Sequence, residues 1–198
     1  MTFLLALIFS ILPASSEAVA SMVNSVYVPE KHISVEGTTE NGERLVLEFD
    51  KAKKELTKTV GDTKEHLKFD EMPVFLKLFF FSGEKNAETP DFFQKKAEEI
   101  LKILAGAGIK STLSTWSVND ESGNVSLVIG RAKRFEGGSF LELSKRTLRP
   151  LKLQIGDETY IFSDYHRSVS PLVFPGRIEQ LKNGRIVAQW SFLRKEFR

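Results

Sequence analysis

From Ile33 to the C-terminal end the chain keeps returning to one pattern, short runs of alternating apolar and polar side chains, each closed by a turn-forming cluster. Ile33-Ser34-Val35-Glu36-Gly37, Glu43 to Asp50 and Lys58-Thr59-Val60 open the series, and Lys64 to Phe69 continues it. Thr112 to Val118, Val125 to Gly130, Ser139 to Leu143, Leu151 to Ile155 and Glu158 to Ser163 follow. Arg177 to Leu181 and Arg185 to Trp190 close the set. Asn41-Gly42 and Asn183-Gly184 each stand between two such runs, the strongest short-range hairpin signal a sequence offers. So many short strands with so few residues between them predict an antiparallel meander.

Two segments break the period of two. Glu17 to Tyr27 spaces its apolar residues in a helical pattern that Pro29 ends. A longer helix begins at Thr89-Pro90-Asp91, where Thr89 is an N-cap candidate, Pro90 suits the first helical position and Asp91 favours the positive end of the dipole. Phe92, Phe93, Ala97, Ile100, Leu101 and Leu104 share one broad face, while Lys95, Lys96, Glu98 and Glu99 lie away from it. Gly106 and Gly108 close it. Pro73 to Phe81 is the most apolar stretch beyond the first residues, and its periodicity fits a short helix and a buried strand equally.

The first residues read as an export signal. Phe3 to Leu12 is an apolar run, stopped by Pro13 and followed by the small residues Ala14-Ser15-Ser16-Glu17-Ala18, although no Lys or Arg precedes it. A cut is expected after Ala18, with a second possible site in Ala14-Ser15-Ser16, so residues 1–18 are a signal peptide and 19–198 a single domain. The run is too short to span a bilayer. Cleavage raises the formal charge from +2 to +3, because Glu17 is the one charged residue removed. Both signs are interspersed, so no nucleic-acid patch and no polybasic membrane anchor is visible. The absence of cysteine excludes disulfides, Cys-based metal sites and a lipidated Cys. A soluble, unanchored product is expected, large enough to hold a core without disulfides.

Catalytic and metal chemistry find little support. His32, His66 and His166 each stand alone in their segments, without the paired spacing of zinc ligands. Ser163-Asp164-Tyr165-His166 contains the residue types of a hydrolytic triad, but neighbours on a strand point to opposite faces and no Gly-x-Ser-x-Gly elbow exists. Gly106 and Gly108 follow a helix instead of opening one, which is wrong for a dinucleotide loop. No catalytic residue, metal or cofactor is expected. The unusual feature is sixteen Phe against three Tyr and two Trp, with Phe75, Phe79, Phe80, Phe81, Phe92 and Phe93 close together. Phe supplies apolar area with no hydrogen-bonding requirement, which suits a solid core and an acyl-chain cavity equally.

The order of segments in the C-terminal half resembles the LolA-like proteins, the superfamily of periplasmic lipoprotein carriers and outer-membrane lipoprotein-sorting proteins. The matching pieces are Gly123 to Gly130, Phe140 to Lys145, Leu148-Arg149-Pro150-Leu151-Lys152-Leu153, Phe162-Ser163-Asp164-Tyr165, Phe174-Pro175-Gly176-Arg177-Ile178-Glu179 and Asn183 to Trp190. The resemblance implies an α+β fold: a strongly curved antiparallel sheet, an unclosed half-barrel, with helices packed in its concave face. It implies an apolar cleft that binds the acyl chains of a lipid or lipoprotein without catalysis, in the periplasm. Alternation assigns Leu45, Leu47 and Phe49 to one strand face, and Val125, Leu127 and Ile129, then Leu141 and Leu143, to others. With Phe75 and Phe79 these are the candidates for the cleft. A monomer with lipid or lipoprotein acyl chains as partner is expected, with an envelope membrane protein as a further partner. The alternative is an envelope adaptor or sensor that binds a protein through the sheet edge or the concave face, without lipid cargo.

Overall fold

A computed structural model describes residues 13–27, 31–80, 89–118, 124–133, 137–165 and 174–197. The apolar run Phe3 to Leu12, Phe81 and His166 lie outside them. Eleven strands form one antiparallel sheet: β1 (His32–Thr39), β2 (Arg44–Asp50), β3 (Glu55–Val60), β4 (Thr63–Lys68), β5 (Ser114–Val118), β6 (Val125–Ile129), β7 (Phe140–Ser144), β8 (Pro150–Ile155), β9 (Glu158–Ser163), β10 (Arg177–Lys182) and β11 (Arg185–Phe197). Their order is β4-β3-β2-β1-β11-β10-β9-β8-β7-β6-β5. The edges β4 and β5 do not pair, so the sheet is an unclosed half-barrel, the architecture that the strand pattern and the resemblance led one to expect.

The connection between the two edges explains the shape. After β4 the chain passes through a 3₁₀ turn (Phe69–Glu71), and among the described residues three helical segments accompany the sheet: α1 (Ser15–Val26) before β1, then α2 (Val74–Lys77) and α3 (Pro90–Gly106) between β4 and β5. Pro73 to Phe81 thus resolves, where described, as a single turn of helix. α1 buries Ala18, Val19, Met22, Val23 and Val26 and packs on α3, which buries Ala97, Ile100 and Leu104. These side chains share one core with inward strand residues such as Val35, Phe49, Leu127, Leu141 and Ile178, so the helices fill one face of the sheet. Thr89 caps α3 as its sequence suggests, its Oγ1 accepting the Phe92 N–H at 3.3 Å. Lys96 departs from the expected solvent face. Its side chain is only 12% exposed, lies over the Phe92 ring and donates to Glu99.

α1 runs across the junction expected between signal and domain. Ala18 is 1% exposed inside it, and a cut after Ala18 removes the first turn of a helix that belongs to the core.

The two Asn-Gly pairs make different turns. At 183–184 both residues have positive φ, 50° and 76°, in a two-residue loop between Lys182 and Arg185, the combination that matches strand twist. At 41–42 only Gly42 does, φ 78°, and Thr39 and Glu43 close a three-residue loop around it. Gly37 has a different role. A Cβ there would stand 2.0 Å from the Ser191 carbonyl oxygen, at the bulge where β1 meets β11, so only glycine lets the two strands approach.

Candidate functional site

Along the inner face, side chains stay apolar through the middle of the half-barrel and become polar towards the end that carries the β1–β2, β3–β4, β8–β9 and β10–β11 turns. Leu56 gives way to Lys58 on β3, Leu67 to Glu65 on β4, Phe162 to Tyr160 and Glu158 on β9, and Ile178 to Gln180 on β10. A cavity of about 450 Å³ opens at this end. Leu45 and Leu47 of β2, Phe75 and Leu76 of α2, and Trp190 and Phe192 of β11 make its apolar wall, with Leu67 and Pro73 beside them. Lys58, Glu65, Glu71, Glu158, Tyr160 and Gln180 form its polar margin.

Phe75 is the central residue of the wall. Its ring lies between two inward-facing aromatic side chains, 4.5 Å from Tyr160 with planes 19° apart and 5.7 Å from Trp190 with planes 17° apart. Offset stacking of this kind adds about 0.5–1.5 kcal/mol per pair beyond burial. The ring is carried by one turn of helix set by Pro73, so the contact is made by a short arm and not by the sheet. The Lys77 ammonium ties that arm to the 3₁₀ turn, donating to the Asp70 carbonyl at 2.9 Å.

The polar margin is organised around Tyr160. Its hydroxyl donates to Glu158 Oε2 at 2.7 Å and accepts from Gln180 Nε2 at 3.2 Å. Burial, then the hydrogen bond to Glu158 and the charge on that carboxylate, push the phenol well above its ordinary range, so the hydroxyl stays neutral. Across the opening Lys58 Nζ stands 3.5 Å from Glu65. Glu71 accepts the Lys68 backbone N–H at 2.9 Å.

Of the residues singled out from sequence, Leu45, Leu47 and Phe75 line this cavity. Phe49 and Phe79 lie inside a continuous ring cluster: Phe49 packs on Phe80 at 5.5 Å, Phe80 on Phe174 at 5.4 Å, and Phe79 on Phe174 at 5.0 Å and Phe162 at 5.4 Å. Leu127, Ile129, Leu141 and Leu143 are fully buried against the helices on the β6–β7 side, and Val125 is half-buried at the start of its strand. Much of the Phe excess is therefore solid core. Trp190, Phe192, Leu76, Tyr160 and Glu158 were not singled out. Trp190 and Tyr160 share alternation with Ile178 and Phe162, and the signal that finds them is the apolar-to-polar change at equivalent inward positions of several strands.

The opposite face of β1–β4 holds a polar concavity of about 500 Å³ that joins His32 and His66, which the sequence places in separate segments. His32 Nδ1 is 3.8 Å from Asp50, and Thr57 Oγ1 is 3.1 Å from His66 Nδ1. Among the described residues no three His, Asp or Glu side chains are grouped to hold a metal ion. Ser163 lies on β9, and β10 and β11 separate it from His32 on β1, about 14 Å at normal strand spacing. His32 and Ser163 thus form no catalytic pair.

No protein-family model matches the chain, and no curated protein matches it either. Its structure is similar to the crystal structure of a LolA superfamily protein from Nitrosomonas europaea, with a TM-score of 0.40 and 8% identity over 94% of each chain. Among the described residues no helix is long and apolar enough to cross a membrane.

Proposed function

We propose that this protein binds the acyl chain of a lipid or lipoprotein in the open end of its half-barrel and performs no chemistry on it. The observation that carries this is the cavity at the turn-bearing end, where Leu45, Leu47, Phe75, Leu76, Trp190 and Phe192 form the edge of the hydrophobic core and border an opening. Each methylene moved from water onto such a wall contributes about 0.8 kcal/mol. Phe75 stands where a chain would pass deeper, so displacement of its one-turn arm is the step that admits cargo. The export signal expected at the N-terminus fits a carrier working in the periplasm, as a monomer, in lipoprotein sorting or a related lipid traffic. Purification from its own compartment followed by native mass spectrometry tests this. Co-purifying acyl species and displacement of a bound hydrophobic dye are expected; a protein that carries nothing and excludes the dye overturns it.

A second reading, an envelope adaptor, has one observation in its favour. Edge strand β4 carries Lys64, Glu65, His66 and Lys68, whereas edge strand β5, Ser114-Thr115-Trp116-Ser117-Val118, has no charged side chain. Charges discourage strand addition and their absence permits it, so β5 offers an edge to an extended segment of a partner protein. Cross-linking to an envelope protein that is lost in Val118→Lys is expected on this reading. A cross-linking pattern without such a complex ends it.

A further inference from the structure

Two bonds at the start of α1 follow the small residues that an export peptidase reads one and three positions before its cut. Ser16–Glu17 is preceded by Ala14 and Ser16, and Ala18–Val19 by Ser16 and Ala18. The next such bond, Ala20–Ser21, lies deeper in the helix. Sequence alone does not separate them; the fold does. The stripe by which α1 joins the core starts at Ala18, which is 1% exposed, and continues through Val19, Met22 and Val23, each 0% exposed. Pro13 to Glu17 contribute no buried residue, and Glu17 is exposed.

Cutting Ala18–Val19 takes the Ala18 side chain out of the core and puts a new ammonium on Val19, a residue wholly inside it. A charge left there without a partner is costly. It would also sit at the positive end of the α1 dipole, with Glu17, the acidic residue of the first turn, removed. Unwinding Val19 into water relieves the charge only by giving up the burial of a second side chain. Cutting Ser16–Glu17 leaves the whole stripe in place. The new ammonium then stands on an exposed residue whose own carboxylate offsets it, and the loss is confined to the end turn, including the Ala18 N–H bond to the Ala14 carbonyl at 3.0 Å. Access runs the same way. In a domain that folds while still tethered, the 16–17 bond is reached by fraying of that turn, whereas the 18–19 bond is reached only by opening the core.

We propose that the export peptidase hydrolyses the Ser16–Glu17 bond, so that the mature protein begins at Glu17. Water adds across the amide: Ser16 leaves with the signal as a carboxylate, and Glu17 keeps the nitrogen as its α-ammonium. This cleavage presupposes the export signal read in the first residues and is independent of what the cavity binds.

The test expresses the full chain in a bacterial host and reads the exported protein by intact-mass and N-terminal peptide mass spectrometry. A chain starting at Glu17 is expected; a start at Val19 or Ser21, or an uncleaved chain, overturns the proposal. Ala14→Gln separates the two bonds a second way, because residue 14 is third before the proposed cut and fifth before the alternative. Roughly fivefold slower processing in a pulse-chase is expected, with precursor accumulating. Processing at the unchanged rate overturns the proposal, and folding of the product does not enter, since Ala14 is absent from it.

Discussion

The two ends of the inner face are built from the same alternating strands and differ in what occupies equivalent positions. Around β6, β7 and the helices the inward residues are Leu127, Ile129, Leu141 and Leu143, all fully buried, and the neighbouring space is filled by interlocked Phe rings. At the turn-bearing end the inward residues are Lys58, Glu65, Glu158 and Gln180, and a cavity stands open. Alternation decides which side of the sheet a residue faces, but it does not decide whether that side is closed. What closes it is the helical layer, and what keeps the other end open is a polar margin that cannot be covered without losing its solvation.

Substitutions that treat the two ends alike should have unlike effects. Phe80→Ala empties a site that is 0% exposed among Phe49 and Phe174, and urea unfolding should show a loss of about 3–5 kcal/mol. Gly37→Ala forces a Cβ into the Ser191 carbonyl at the β1–β11 junction; a loss of about 1–3 kcal/mol is expected by the same measurement. Phe75→Ala should cost less than half of Phe80→Ala, since its site borders the cavity and can admit water, and should speed the uptake of a hydrophobic dye in stopped-flow fluorescence. If Phe75→Ala and Phe80→Ala destabilise equally, the two ends do not differ as described. Thr89→Ala, remote from both ends, should cost about 1 kcal/mol through its lost N-cap.

The smallest effect is one of pH. The Tyr160 phenol has its folded pKa raised above the ordinary 10.0 by burial and by Glu158. A raised folded value contributes stability that is present below pH 10 and is lost as pH rises beyond it. Tyr160→Phe should therefore flatten the alkaline fall in stability above pH 10, followed by thermal unfolding across that range.

Most of the architecture was legible because it depends on local signals. The hairpin at Asn183-Gly184, the cap at Thr89 and the inward faces of β2, β6 and β7 follow from neighbouring residues alone. The one-turn helix at Val74–Lys77 was not, because four residues are too few to show a period. The cavity was legible only in part. Leu45, Leu47 and Phe75 are apolar residues on assigned faces, but nothing local distinguishes them from Phe49 or Phe79, whose burial depends on rings from β9, β11 and the Phe174 segment. His32 and His66 stand apart in the sequence for the same reason: sheet order, not sequence spacing, brings them to one concavity.

The ladder between β1 and β11 joins strands from opposite ends of the sequence, Thr39 beside Trp190 and Ile33 beside Phe197. All other ladders connect strands that follow one another in the chain. Synthesis therefore produces two separate meanders that cannot share a sheet until the thirteen residues of β11 have emerged. Trp190 and Phe192, two of the three aromatic residues of the cavity's apolar wall, arrive with that last strand. A chain whose last strand has not yet emerged is therefore still without this cavity.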